Sequence, residues 1–362
     1  MLLLRNPDVM QVLDMPTTIE ALRVGYDDLG KGDAAYIPRI DLWAPTGREN
    51  DYYQWGSMTG ACRAYGVVAV RVKSAVLSWS EAGTVEKYCV EPGTHMGIIM
   101  LFSTSDGAPL GIIQDGYLQH MRVGGAAGIG ADLLARKDAD TLGMLGSGGM
   151  AETYLRALAV VRPLRRARVF SRTKENRDAF AGRMSEELGL EIEAVDSPED
   201  AVRDAAIVAT ATDSTGPTFD ASWLSPGTHV TCVTRRELGD ELLEKSDRII
   251  QLGINSIPPD VDIPDMEWKA GANAAYVTGT PEERAMIPSG RKAERGAYPT
   301  MLDVEMGRAM GRTDDEQITL FITTGTQGLQ FAAVAGRTYQ LAVEAGLGES
   351  FPTDWFLQDI RS

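Results

Sequence analysis

The stretch Thr141-Leu142-Gly143-Met144-Leu145-Gly146-Ser147-Gly148-Gly149-Met150-Ala151 decides the fold. Residues 142–145 are a short apolar run of the kind a buried parallel strand shows. Gly146, Gly148 and Ala151 follow in G-x-G-x-x-A spacing, and residues 152–161 continue as a helical pattern. Strand, glycine turn and helix in that order make the phosphate-binding corner of a dinucleotide site. In this reading Gly146 permits the turn, Gly148 lets the backbone approach a pyrophosphate, and Ala151 lets the helix pack closely. Ser147, Gly149 and Met150 complete the loop, and the helix N-terminus supplies N–H groups and a positive dipole end. A second strand, 167–171, follows at the βαβ distance. Its end carries Ser171-Arg172-Thr173 where an NAD site usually has an acidic residue. A guanidinium between two hydroxyls suits a 2′-phosphate, so NADP(H) is favoured over NAD(H).

Outward from this corner, strands are expected at 206–212, 229–234, 248–252 and 318–323, with helices at 179–188 and 201–204. Ligands of such sheets lie beyond the carboxyl ends of the strands. That rule nominates Thr210, Thr212, Val233 and Thr324 as cofactor neighbours. Residues 253–300 are rich in proline and glycine and read as an irregular connection, either a lid or a dimer arm. Ahead of the corner, helices are expected at 6–13 and 16–29. Strand-like runs stand at 37–42, 67–74, 96–103 and 109–115, implying an antiparallel or mixed sheet.

Arg71 and Lys73 lie two residues apart on one strand and so share a face. That face is either solvated or a cationic wall for an acidic substrate. A helix at 119–135 carries Arg122 near its start, where the helix dipole disfavours a cation and a bound carboxylate would relieve it. A final helix, 329–345, is expected to pack back on the first domain. The expected fold class is α/β. A Rossmann-type doubly wound parallel sheet spans 131–315, and a second α+β domain, for substrate and dimerisation, is built from 1–130 and 316–362.

Composition narrows the partners. Net charge is −16 over 362 residues, with 44% apolar residues, which argues against nucleic acid and anionic membranes. Cys62, Cys89 and Cys232 form no C-x-x-C pair, and His95, His120 and His229 lack metal-motif spacing. Neither disulfides nor a metal is expected. No apolar run reaches a membrane span and no basic-plus-apolar leader opens the chain, so a cytoplasmic location is expected.

An ordered set of stretches resembles the ornithine cyclodeaminase/mu-crystallin family. It comprises Pro38-Arg39, Arg71-Val72-Lys73-Ser74, Asp106-Gly107-Ala108-Pro109-Leu110, and Arg122 ahead of a small-residue helix. Residues 146–151, Ser171-Arg172-Thr173, Arg236-Glu237-Leu238, residues 307–321 and a final Gly346-Leu347-Gly348 follow. The resemblance implies a Rossmann domain, a dimer-forming second domain giving a homodimer, NAD(P) between them, and a small amino or imino acid as substrate. It implies that Arg39 and Arg122 hold the substrate carboxylate and that Thr94 lies near substrate and nicotinamide. Arg71 falls where the family usually has a catalytic-site lysine, and Lys73 stands two residues on to replace that ammonium; the pair are the catalytic candidates. Asp115 is the other candidate acid/base. Cyclodeaminases carry an Asp between the strand near Val233 and the Glu-Leu pair. Residues 233–237 are shorter here and lack it, which speaks against cyclising deamination. The tail, 325–331 and 352–359, resembles a branch of the family named for tyramine oxidase. Two functions are therefore carried forward: hydride transfer at the Cα of an amino or imino acid, and an NADP-binding accessory protein with an amine oxidase partner.

Overall fold

The computed structural model of the chain describes residues 1–79, 85–254, 264–269, 273–287, 289 and 298–360. Two units are formed, one from Met1–Gln119, Asn255–Arg295 and Thr326–Ser362, the other from His120–Ile254 and Gly296–Gly325.

The second unit is built on a seven-stranded parallel sheet among the described residues. Its order is Glu191–Ala194, Arg166–Phe170, Thr141–Leu145, Ile207–Thr210, His229–Cys232, Thr319–Ile322, Arg248–Gln251. The first five strands keep the Rossmann order 3-2-1-4-5. Ile207–Thr210, His229–Cys232 and Thr319–Ile322 are buried at every position. Their unbroken apolar and Thr-rich runs suit the interior of a sheet covered on both faces. The expected boundary at 316 is thereby corrected: residues 319–322 belong to this sheet. A short run buried on both faces finds that environment between two parallel strands.

The first unit holds an eleven-stranded sheet among the described residues, mostly antiparallel. Asp51–Cys62 and Val67–Trp79 pair over their whole shared length and form its centre. Expected strand 37–42 is broken by Pro38 into Ala34–Tyr36 and Ile40–Pro45. The helix Gln327–Glu344 covers one end of the buried face with Leu329, Phe331, Ala332 and Ala335.

The expectation of an irregular 253–300 is corrected in part. Met266–Lys269 and Asn273–Val277 are strands, and Pro281–Met286 is a helix. Asn273–Val277 pairs in parallel with Ile40–Pro45. Such short strands, set among prolines, have too little periodicity to be read. Residues 255–263, 270–272, 288 and 290–297 lie outside the described residues, and with them the reading of this segment as a lid or arm.

The helix expected from 119 begins at Gly116 and ends at Leu134. The Tyr117 N–H is bound by the Asn6 side-chain oxygen at 2.9 Å, a cap from far away in sequence. Arg122 therefore lies well past the first turn, where the dipole has faded. The dipole argument for a carboxylate at Arg122 falls with this correction. No described helix is long and apolar enough to cross a membrane.

Candidate functional site

In the second unit the glycine turn leaves its strand at Gly146 with φ +117. A Cβ there would lie 2.2 Å from the Ala211 carbonyl oxygen, so both conformation and space require glycine. At Gly148 a Cβ would meet nothing within 4 Å. Gly148 is the N-cap of the helix Gly149–Val161 and provides no side-chain cap. The open space and the first N–H groups of the helix are together suited to an anion. Ser147 Oγ donates to Ser171 Oγ at 2.8 Å, tying the turn to the end of the second strand. Arg172 is 72% exposed in its side chain and stands 3.6 Å from Asp213. Thr173 is the N-cap of the helix Lys174–Leu188.

Beyond the next strand ends, one carboxylate organises two loops. Glu237 is fully buried. Its Oε1 accepts the Thr212 N–H at 2.6 Å and hydroxyl at 2.7 Å, and its Oε2 accepts the Thr234 N–H at 3.0 Å. This role is missing from the sequence expectations, although Thr234-Arg235-Arg236-Glu237 has capping-box spacing that signals it. Val233 packs against the apolar core of this unit, and the Thr324 carbonyl accepts the Gly253 N–H at 3.0 Å. Thr210 is fully buried, with a hydroxyl that lacks a hydrogen-bond partner among the described residues. Tyr154, from the helix Gly149–Val161, meets the Thr323 hydroxyl at 3.2 Å. Burial raises the Tyr154 pKa, and Arg122 opposes the rise. Arg122 itself is 6% exposed.

In the first unit Arg71 and Lys73 lie on the buried face of the central strand pair. Along it, Tyr52, Gln54, Gly56, Met58 and Cys62 stand opposite Leu77, Ala75, Lys73, Arg71 and Val67. The face is apolar at both ends and charged in the middle. It is not the solvated strand face that was one of the two expectations.

Lys73 has a glycine opposite it on each side, Gly56 and Gly97. Carboxylates occupy the room those side chains would need. A Cβ at Gly56 would fall 2.6 Å from Asp41 Oδ1, and one at Gly97 2.2 Å from Asp115 Oδ2. Each carboxylate carries its own arginine. Arg39 grips Asp41 through Nε at 2.7 Å and Nη2 at 3.0 Å. Arg71 donates from Nε at 2.7 Å and Nη2 at 2.6 Å to Asp115, and its guanidinium lies 5.5 Å from the Phe331 ring centroid. Gln54 joins the groups: its Nε2 donates to Asp41 at 2.7 Å and its Oε1 accepts from Lys73 Nζ at 2.8 Å.

This arrangement separates the two cations. Arg71 is buried against a carboxylate and keeps its proton. Lys73 has no ion pair among the described residues. Burial, then Lys87, Arg39 and Arg71, push its pKa from 10.5 to about 6, so near neutral pH it exchanges a proton readily. Arg39 has committed two of its nitrogens to Asp41, and among the described residues Nη1 is the part left for another anion. Thr94 is exposed, and its hydroxyl is used within its own turn by the carbonyls of Cys89 and Glu91. No group of three or more metal-ligating side chains occurs among the described residues.

The ornithine cyclodeaminase/mu-crystallin family model matches residues 85–335. An uncharacterized cyclodeaminase of Sinorhizobium fredii is 31% identical over 261 residues, covering 72% of this chain and 74% of its own. A Delta(1)-pyrroline-2-carboxylate reductase of Bacillus cereus is 30% identical over 263 residues, covering 70% and 74%. Among solved structures, the Thermococcus litoralis Delta(1)-pyrroline-2-carboxylate reductase in complex with NADH and L-proline has a TM-score of 0.76 and 26% identity. It covers 97% of this chain and 100% of its own. An archaeal alanine dehydrogenase dimer with bound NAD shares the fold, with a TM-score of 0.74, 22% identity and coverage of 97% and 98%.

Proposed function

Because the chain belongs to the ornithine cyclodeaminase/mu-crystallin family, we propose that it reduces a small 2-imino acid to the amino acid with NADPH. The chain is an enzyme of the kind its relatives are named for, a nicotinamide-dependent reductase, dehydrogenase or cyclodeaminase. A nicotinamide cofactor, when bound, supplies or accepts the hydride at Cα. Residues of the glycine turn, Gly146 to Met150, would hold its pyrophosphate. Ser171, Arg172 and Thr173 would hold the 2′-phosphate, and Thr210, Thr212, Val233 and Thr324 would line the nicotinamide side. The family resemblance makes Arg39 and Arg122 the proposed carboxylate ligands, with Thr94 as a further substrate neighbour. A homodimer is part of the same reading.

The observation that carries the choice of a proton-handling group is the state of Lys73. It has no carboxylate partner among the described residues, and its pKa is pushed to about 6. A group poised there can give a proton to the substrate nitrogen in reduction and take it back in oxidation. Arg71 and Asp115 are locked on each other and are assigned a supporting role. Cyclising deamination is the less favoured chemistry. The loop after His229–Cys232 has no Asp, and its one buried carboxylate, Glu237, is spent on Thr212 and Thr234.

The test is NADPH oxidation with Δ1-pyrroline-2-carboxylate and with acyclic 2-imino acids formed from 2-oxo acids and amines. Turnover with an imino acid is expected. No turnover with any of them, together with conversion of ornithine to proline and ammonia, would overturn the reading.

A further inference from the structure

We infer that Lys73 is also a nucleophile: its amine condenses with the carbonyl of a small 2-oxo acid to form an imine on the enzyme. A free amine then displaces the lysine and leaves as the imine that the reductase site consumes. The inference rests on the proposed reduction of imino acids and names how an acyclic substrate would be made.

The geometry favours this chemistry at Lys73. Its Nζ has a single hydrogen bond among the described residues, to the neutral Gln54 Oε1 at 2.8 Å. A neutral amine can make that bond with one N–H and keep its lone pair free. Asp41 and Asp115, the carboxylates over the two facing glycines, are each paired with an arginine, so neither holds Lys73 as an ammonium. The charged groups facing it are Arg39 and Asp41 from one side, Arg71 from its own strand, Asp115 beyond Gly97, and Lys87. Desolvation beside cations is a general way to make a lysine nucleophilic. Lys73 is half-buried and keeps part of its surface exposed. The same cations attract the carboxylate of a 2-oxo acid.

The steps balance without an oxidant or reductant. The Lys73 nitrogen bonds to the carbonyl carbon, and its two protons leave with the carbonyl oxygen as water. In the exchange, the incoming primary amine bonds to the same carbon. Its two protons pass to the lysine nitrogen as the old C–N bond breaks.

The experiment uses the whole protein at pH 7 with pyruvate or glyoxylate and cyanoborohydride, read by intact mass and peptide mapping. One equivalent of adduct is expected on Lys73, with the mass of the acid less one water plus two hydrogens. Lys73→Arg should lose it and Lys87→Arg should keep it. Mapping on the unmodified chain guards against a variant that misfolds. No adduct, or one spread over other lysines, would overturn the inference. Reduction of Δ1-pyrroline-2-carboxylate, which already contains its C=N bond, is measured alongside. Imine reduction without an adduct sinks the nucleophile and leaves the reductase reading standing. An adduct on Lys73 without imine reduction supports the nucleophile and sinks the reductase.

Discussion

Replacing Lys73 by methionine is expected to make the protein more stable and less active. Burial and neighbouring cations push the Lys73 pKa from 10.5 to about 6. The unfolded chain therefore binds this proton more tightly than the folded one. Stability consequently rises with pH between about 6 and 10.5, and the cost of Lys73 is fully present below about 6. The whole displacement corresponds to about 6 kcal/mol at roughly 1.36 kcal/mol per pH unit. At pH 7, still well below the unfolded value of 10.5, most of that cost remains, on the order of 5 kcal/mol. Methionine keeps the apolar stem and gives up the Gln54 hydrogen bond, worth about 1 kcal/mol. The net gain at pH 7 is then on the order of 4 kcal/mol, shrinking to nothing or reversing near pH 10. Urea unfolding followed by tryptophan fluorescence reads this well. Trp43, Trp55, Trp79, Trp268 and Trp355 lie in the first unit and only Trp223 in the second. A variant less stable than the parent at pH 7, or an advantage that does not shrink as pH rises, would refute the reasoning.

Asp115→Ala strands the buried Arg71 charge and should cost about 3–5 kcal/mol, seen as a lowered urea midpoint of the first unit. Gly146→Ala meets both the positive φ and the Ala211 carbonyl. It should destabilise the second unit by at least about 2 kcal/mol in thermal unfolding. Gly148→Ala has open space around it. Stability should stay within about 0.5 kcal/mol, while calorimetry should show NADPH affinity falling about tenfold or more. Arg172→Ala should weaken NADPH by tenfold or more and leave NADH nearly unchanged, a charge-assisted contact being worth roughly 1.5–3 kcal/mol. Equal losses for both cofactors would mean that Arg172 supports its loop.

The strand, glycine turn and helix at 141–161 were legible because their physics is local. A short apolar strand, a glycine with no room for a side chain and an uncapped helix start are all written within eleven residues. The lengths of distant pairings were not. Residues 319–322 read as a strand, but only its neighbours His229–Cys232 and Arg248–Gln251 reveal which sheet it joins. The helix start at Gly116 was hidden because its cap is Asn6. Arg71 and Lys73 were rightly put on one face, yet sequence could not tell which would titrate. That difference comes from register: Asp115 reaches Arg71 across Gly97, and Asp41 reaches Arg39 over Gly56. The two glycines inside otherwise regular strands were the available signal, since glycine in a strand marks close approach by another group. Glu237 was visible as a motif and not as a clamp, because its partner Thr212 lies on a different loop.

The central claim is that this protein reduces a 2-imino acid with Lys73 moving the proton. The direct measurement is the initial rate of NADPH oxidation by Δ1-pyrroline-2-carboxylate from pH 5 to 9, with proline measured as product, for the parent and for Lys73→Met. The parent should form proline at a rate that falls as pH rises through about 6, where Lys73 gives up its proton. Lys73→Met should lose on the order of a hundredfold or more and show no break there. A Lys73→Met protein that forms proline at the parent's rate, with the same pH profile, would contradict the account.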